Sequence, residues 1–157
     1  MKNELEELRK VAEEIKSLVT VCVEQWSDLT EDITEKRLTP DSWSPKEIIG
    51  HLIDSASNNH QRFVRLQIRD VLIFPDYAQD NEKWVNIQRY QEKDWTEILS
   101  LWKYFNSHLA WIIQTVSLDV LNHIWRLDEN TTISLRDLMI DYLRHLKVHV
   151  EQVNAIT

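Results

Sequence analysis

The residues best suited to chemistry in this chain are its six histidines, His51, His60, His108, His123, His145 and His149. Imidazole nitrogens suit zinc, nickel, copper and iron, and two histidines at i and i+4 stand on one face of a helix, about 6 Å apart along its axis. His145 and His149 have that spacing. They also continue a stripe, Leu138, Tyr142, His145, His149 and Gln152, that steps by four and three residues. The seam of that helix turns polar in its second half. A bundle core avoids such a change unless the polar groups are satisfied.

Two ligands on one helix make an incomplete site, because a catalytic zinc takes three protein ligands and keeps a position open. His51, His60 and His108 are the candidates for the third. Helical-wheel position places His51 on the flank of its apolar stripe and His60 nearer the centre, while His108 continues Leu101, Phe105 and Ile112. Periodicity leaves these alternatives open. His123 lies in a polar connection beside Trp125, where a surface role is expected. Two carboxylates lie close in sequence to the histidines: Asp54, three residues after His51, and Asp141, four before His145. Either could serve as an acid-base group or accept an imidazole N–H. Of seven tryptophans, Trp84, Trp95, Trp102 and Trp111 could wall an apolar cleft, though helical spacing favours core packing.

Four helical stretches must position these groups. The first runs from about Glu4 to Ser27, with Leu5, Leu8, Ala12, Ile15 and Val19 three or four apart. Ser44-Pro45-Lys46-Glu47 signals the second, which reaches about Arg69: Ser44 caps, Pro45 suits the first turn, and Glu47 closes a capping box. Asp94-Trp95-Thr96-Glu97 opens the third, ending near Val116, and Ser134-Leu135-Arg136-Asp137 opens the fourth, which can reach Val153. Residues 70–93, containing Phe74-Pro75-Asp76, read as irregular, and Leu118 to Thr132 as polar and turn-like. Four helices of this length bury their stripes best side by side, and the long connections leave room for a crossover. The expectation is one all-α domain over residues 1–157, a four-helix bundle.

Composition sets the outer limits. A chain of 157 residues with 43% hydrophobic and 28% charged residues is long enough for a real core. One glycine and three prolines argue against a many-stranded protein, and no glycine-rich phosphate loop is present. The net charge of −8 weighs against nucleic acid as a partner. Arg62, Arg65 and Arg69 read as a solvated helix face. Cys22 is the single cysteine, inside the apolar run Leu18, Val19, Val21 and Val23, which reads as a small buried hydrophobe and leaves an apolar patch available for a homodimer. The charged N-terminus does not resemble a secretion signal, and no apolar run approaches a membrane span. A cytoplasmic protein without membrane contact is expected.

Trp43-Ser44-Pro45-Lys46-Glu47-Ile48-Ile49-Gly50-His51-Leu52 is similar to the W-S-x-x-E-x-x-x-H-L opening of helix two in the DinB/YfiT-like superfamily of metal-dependent enzymes. The final helix, with His145, His149 and Gln152, resembles that family's terminal H-x-x-x-H-x-x-Q pattern. The resemblance implies a bundle of unusual connectivity with a divalent metal, nickel or zinc, held by His51, His145 and His149. It thereby selects His51 over His60 and His108. It also implies activities like those of the family's thiol-dependent transferases and isomerases, which use a small thiol such as bacillithiol or mycothiol. The resulting expectation is a metal-dependent hydrolase or thiol-dependent transferase acting on a small molecule. The alternative is a non-catalytic metal-binding or stress-response interaction protein.

Overall fold

The computed structural model describes residues 2–73 and 79–157, so Phe74-Pro75-Asp76 lies outside the described residues. Four long helices dominate: α1 (Lys2–Trp26), α3 (Pro45–Leu66), α5 (Trp95–Thr115) and α6 (Leu135–Asn154). Each of the last three begins on a side-chain cap anticipated above. Ser44 accepts the Glu47 amide while the Glu47 side chain accepts the Ser44 amide; Asp94 accepts the Glu97 amide, and Ser134 accepts that of Asp137. These caps satisfy donors that a helix start otherwise leaves open, and each contributes about 1 kcal/mol.

Helices α1 and α3 each pack against both α5 and α6. That arrangement sets α1 diagonally opposite α3, and α5 opposite α6. The α1–α3 and α5–α6 connections therefore cross the end of the bundle instead of turning a hairpin, which explains their length. The apolar stripes meet in one core, including Leu8, Ile15, Trp26, Ile49, Leu52, Phe63, Trp102, Leu109 and Leu146. Two of its polar side chains are paired. The Trp95 indole donates to the Trp26 carbonyl (2.8 Å), and the Tyr142 hydroxyl donates to Asn106 Oδ1 (2.6 Å).

The connections carry more structure than the sequence suggests. Two short helices, α2 (Glu31–Thr34) and α4 (Asn81–Gln88), and a 3-10 turn at Tyr90–Glu92 cover the flank of α3. A three-stranded sheet joins β1 (Val71–Ile73), β2 (Ile124–Arg126) and β3 (Thr132–Ser134), with β1 parallel and β3 antiparallel to the central β2. Residues 70–93 are thus only partly irregular, and 118–132 holds a strand. Three residues per strand is too short for alternation to stand out, and pairing between β1 and β2 is long-range. The sheet is a minor addition to a helical bundle.

Two buried, ion-paired residues of α3, Glu47 and Lys46, shape the α1–α3 connection. Glu47, 3% exposed, receives Arg37 Nε (3.0 Å) as well as the Ser44 amide. Lys46, 1% exposed, reaches Glu31 and Glu35. Both pairs hold residues 31–43 down over the start of α3, just before His51. The Val19–Val23 patch is mostly consumed by the core, since Val19 and Cys22 are buried and only Val21 is exposed. Burial pushes the Cys22 thiol up to about 11, consistent with an inert hydrophobe. Among the described residues no helix is long and apolar enough to cross a membrane.

Candidate metal centre

Helices α3 and α6 pack together and bring His51 against His145 and His149. Nε2 of His145 lies 3.4 Å from Nε2 of His51 and 3.1 Å from Nε2 of His149. One ligand atom from each histidine falls within 4.8 Å of the other two. Tetrahedral coordination with metal–nitrogen bonds of about 2.0–2.1 Å requires nitrogens about 3.3–3.4 Å apart. The two close separations fit that edge.

The hydrogen bonds also favour metal ligation. His149 Nδ1 lies 2.8 Å from Gln152 Oε1, an acceptor, so that nitrogen carries the proton and Nε2 keeps its lone pair. Ser55 Oγ stands 3.4 Å from His145 Nδ1 and leaves that Nε2 facing the cluster. His51 Nδ1 is buried without a hydrogen-bond partner. The Trp43 ring, its centroid 5.0 Å from that of His51, packs beside the imidazole.

All three rings are held neutral. Burial, then the charges of His149 and His145, push His51 down to about 3. Burial and the charge of His149 push His145 down to about 4. His149 is lowered by burial, with Gln152 opposing. Three neutral imidazoles with converging lone pairs suit a borderline divalent cation, so the donor set fits zinc or nickel.

The three histidines contribute to the linings of two cavities. His51 and His145 line one of about 530 Å³, with Asn58, Asn59, Arg62 and Trp125 among its walls. His149 and Gln152 line the other, of about 470 Å³, with Leu38, Trp43, Ile48 and Ile156. Both volumes fall within the range usual for small-molecule sites.

The remaining candidates lie elsewhere. His60 and His108 face each other across α3 and α5, ring centroids 5.3 Å apart, and are not part of the three-histidine cluster. The wheel favoured them because it assumes one buried face. In α3 every residue from Pro45 to Asp54 is buried, since α2 and the 81–92 segment cover the outer side. Asp54 is buried away from both cavities, accepting from Gln88 Nε2 (2.7 Å) and the Tyr90 hydroxyl (2.8 Å), and burial raises its pKa. Asp141 lines the larger cavity and accepts from Arg144 (2.9 Å). His123 is partly buried, with Nδ1 2.5 Å from the Leu66 carbonyl oxygen.

Several cavity residues were not singled out in the sequence. Arg62 is half-buried, its guanidinium 3.9 Å from the Trp125 ring centroid, where a solvated face was expected. Trp95 and Trp102 are core residues, Trp111 is exposed, and the tryptophans at the cavities are Trp43 and Trp125. The signal for Trp43 was its place inside the helix-opening motif, whereas the three-residue strand around Trp125 is too short to give one.

The structure is similar to that of YfiT from Bacillus subtilis, described as a probable metal-dependent hydrolase with an unusual four-helix bundle topology. The TM-score is 0.80 at 18% identity, covering 99% of this chain and 87% of that one, which establishes the shared fold. No curated protein sequence matches the chain. The family model of the DinB superfamily matches residues 5–153, through all four long helices, and the chain belongs to that superfamily.

Proposed function

We propose that the protein is a metal-dependent hydrolase acting on a small molecule, with His51, His145 and His149 as the ligands of a divalent ion, zinc or nickel. The observation that carries the reading is the convergence of three neutral imidazoles in the linings of two ligand-sized cavities. A structural metal site is closed, whereas three protein ligands leave room for reactants. An ion held there supplies positive charge that polarises a carbonyl and lowers the pKa of an attacking water toward neutrality. The similarity to YfiT, itself described as a probable metal-dependent hydrolase, supports the same reading.

The chain's own groups supply orientation and proton handling. Gln152 fixes the His149 tautomer, and the Ser55 hydroxyl helps orient the His145 ring. Asp141 lines the cavity beside His145 and would be the carboxylate that takes a proton from water; Asp54, buried among Gln88 and Tyr90, holds the 81–92 segment. Hydrolysis joins the water oxygen to the acyl carbon, breaks the bond to the leaving group, and delivers a proton to that group.

A small thiol in place of water would turn the same site into a transferase, and a paired chain and a cytoplasmic setting belong to the same reading. The test is a panel of esters, amides and thiol–acceptor pairs with protein loaded with zinc or nickel. Turnover lost with a chelator, restored by the ion and lowered in Asp141→Asn supports the proposal. Turnover indifferent to chelation contradicts it, and metal binding with no turnover across the panel favours a non-catalytic metal-binding protein.

A further inference from the structure

The two cavities lined by the histidines differ in chemistry. Around His51 and His145 the amides of Asn58 and Asn59 and the Arg62 guanidinium stand among the apolar walls of Trp125, Leu127 and Leu138. Around His149 stand Leu38, Trp43, Ile48, Ala155 and Ile156, with Asp41 and Glu82 as the charged lining residues. Among the described residues, that second lining contains no lysine or arginine. His149 belongs to the lining of this second cavity, as His51 and His145 belong to that of the first. About 470 Å³ is the scale of a small ligand and too little for a partner helix.

From this difference we infer that the substrate carries an uncharged apolar chain of medium length. That chain lies in the cavity walled by Leu38, Trp43, Ile48 and Ile156, while its polar remainder lies on the Asn58–Arg62 side. The assignment rests on the metal-site reading given above. Apolar walls recover the hydrophobic transfer of each methylene, and Asp41 and Glu82 repel a chain ending in a carboxylate. The walls are firmly placed. Trp43 packs on His51, and the loop bearing Leu38 and Trp43 is tied to the start of α3 through Arg37 and Glu47.

Alkyl hydroxamates test this without turnover, because their head group chelates a divalent ion and their chain can be varied. Affinity of acetohydroxamate, hexanohydroxamate and the monohydroxamate of adipic acid for zinc-loaded protein is measured by calorimetry. Each methylene moved into an apolar wall gives about fourfold, so hexanohydroxamate should bind roughly 30-fold or more tighter than acetohydroxamate. The adipic compound should lose most of that gain. Ala155→Trp and Ile156→Trp, which fill the cavity, should cut the ratio between the two affinities to about threefold or less.

The inference is overturned if wild-type protein binds acetohydroxamate and hexanohydroxamate within about threefold of each other. It is equally overturned if both tryptophan variants keep the full gain, or if the adipic compound binds as well as hexanohydroxamate. The last result would place the chain beside Arg62 instead. Protein that takes up no zinc and binds no hydroxamate would sink the metal-site reading itself. Zinc uptake with a flat chain-length series would sink this inference alone.

Discussion

Gly50→Ala sets two physical effects of opposite sign against each other, one residue before His51. Gly50 lies inside α3, where alanine is better than glycine by about 1 kcal/mol on helix propensity alone. A Cβ on Gly50, however, would come inside 3.0 Å of three atoms of the Tyr90 ring. Tyr90 is 4% exposed and its hydroxyl donates to Asp54 Oδ1, so the ring cannot move without breaking that bond. Overpacking costs about 1–3 kcal/mol, and stranding the buried Asp54 adds about 1–3 kcal/mol. The clash therefore wins, and Gly50→Ala should destabilise by about 2–4 kcal/mol in urea unfolding followed by far-ultraviolet circular dichroism. Removing the ring reverses the sign. Tyr90→Ala alone costs about 3–5 kcal/mol, but in that background Gly50→Ala should stabilise by up to about 1 kcal/mol. A neutral or stabilising Gly50→Ala in the otherwise unchanged protein would refute the packing of Tyr90 on α3. So would a double mutant whose two costs simply add.

Other expectations follow from the site. His149→Ala should abolish stoichiometric zinc binding in elemental analysis, whereas His60→Ala should leave it intact; the opposite pattern would move the site to the α3–α5 pair. Gln152→Ala removes the acceptor on His149 Nδ1 and should weaken zinc about 10–100-fold in a chelator competition, while unaltered affinity would show that Gln152 only packs. In metal-free protein the histidines make stability depend on pH. Their folded pKa values lie below the unfolded value near 6.5, so protonation favours the unfolded chain. Stability is complete above about pH 6.5 and declines as pH falls toward 4, by about 2–3 kcal/mol at pH 4.5 for His51 alone. Urea midpoints at pH 7.5 and 4.5 measure this. His51→Gln should show a smaller decline than the parent, and an equal one would contradict the origin of the effect.

Much of this architecture was legible in the residues, for reasons that are local. Caps are local chemistry: Ser44-Pro45-Lys46-Glu47, Asp94 with Glu97, and Ser134 with Asp137 announce helix starts in four adjacent residues or fewer. The His145–His149 pair is also local, and its helix turned out as drawn. His51 was selected by its motif against the wheel. The structure brings His51 beside His145 and His149 although the wheel sets it on a flank, because α2 and the Tyr90 segment bury the far side of α3, a tertiary fact that periodicity in one helix does not contain. The cavity walls escaped for the same reason. Arg62 meets Trp125 across 63 residues of chain, through a strand too short to show alternation.

The most direct measurement is an anomalous difference map from crystals of tag-free protein loaded with zinc and recorded at the zinc edge. The account predicts one strong peak bonded to Nε2 of His51, His145 and His149. A map with no peak there, or with its strongest peak between His60 and His108, would contradict it.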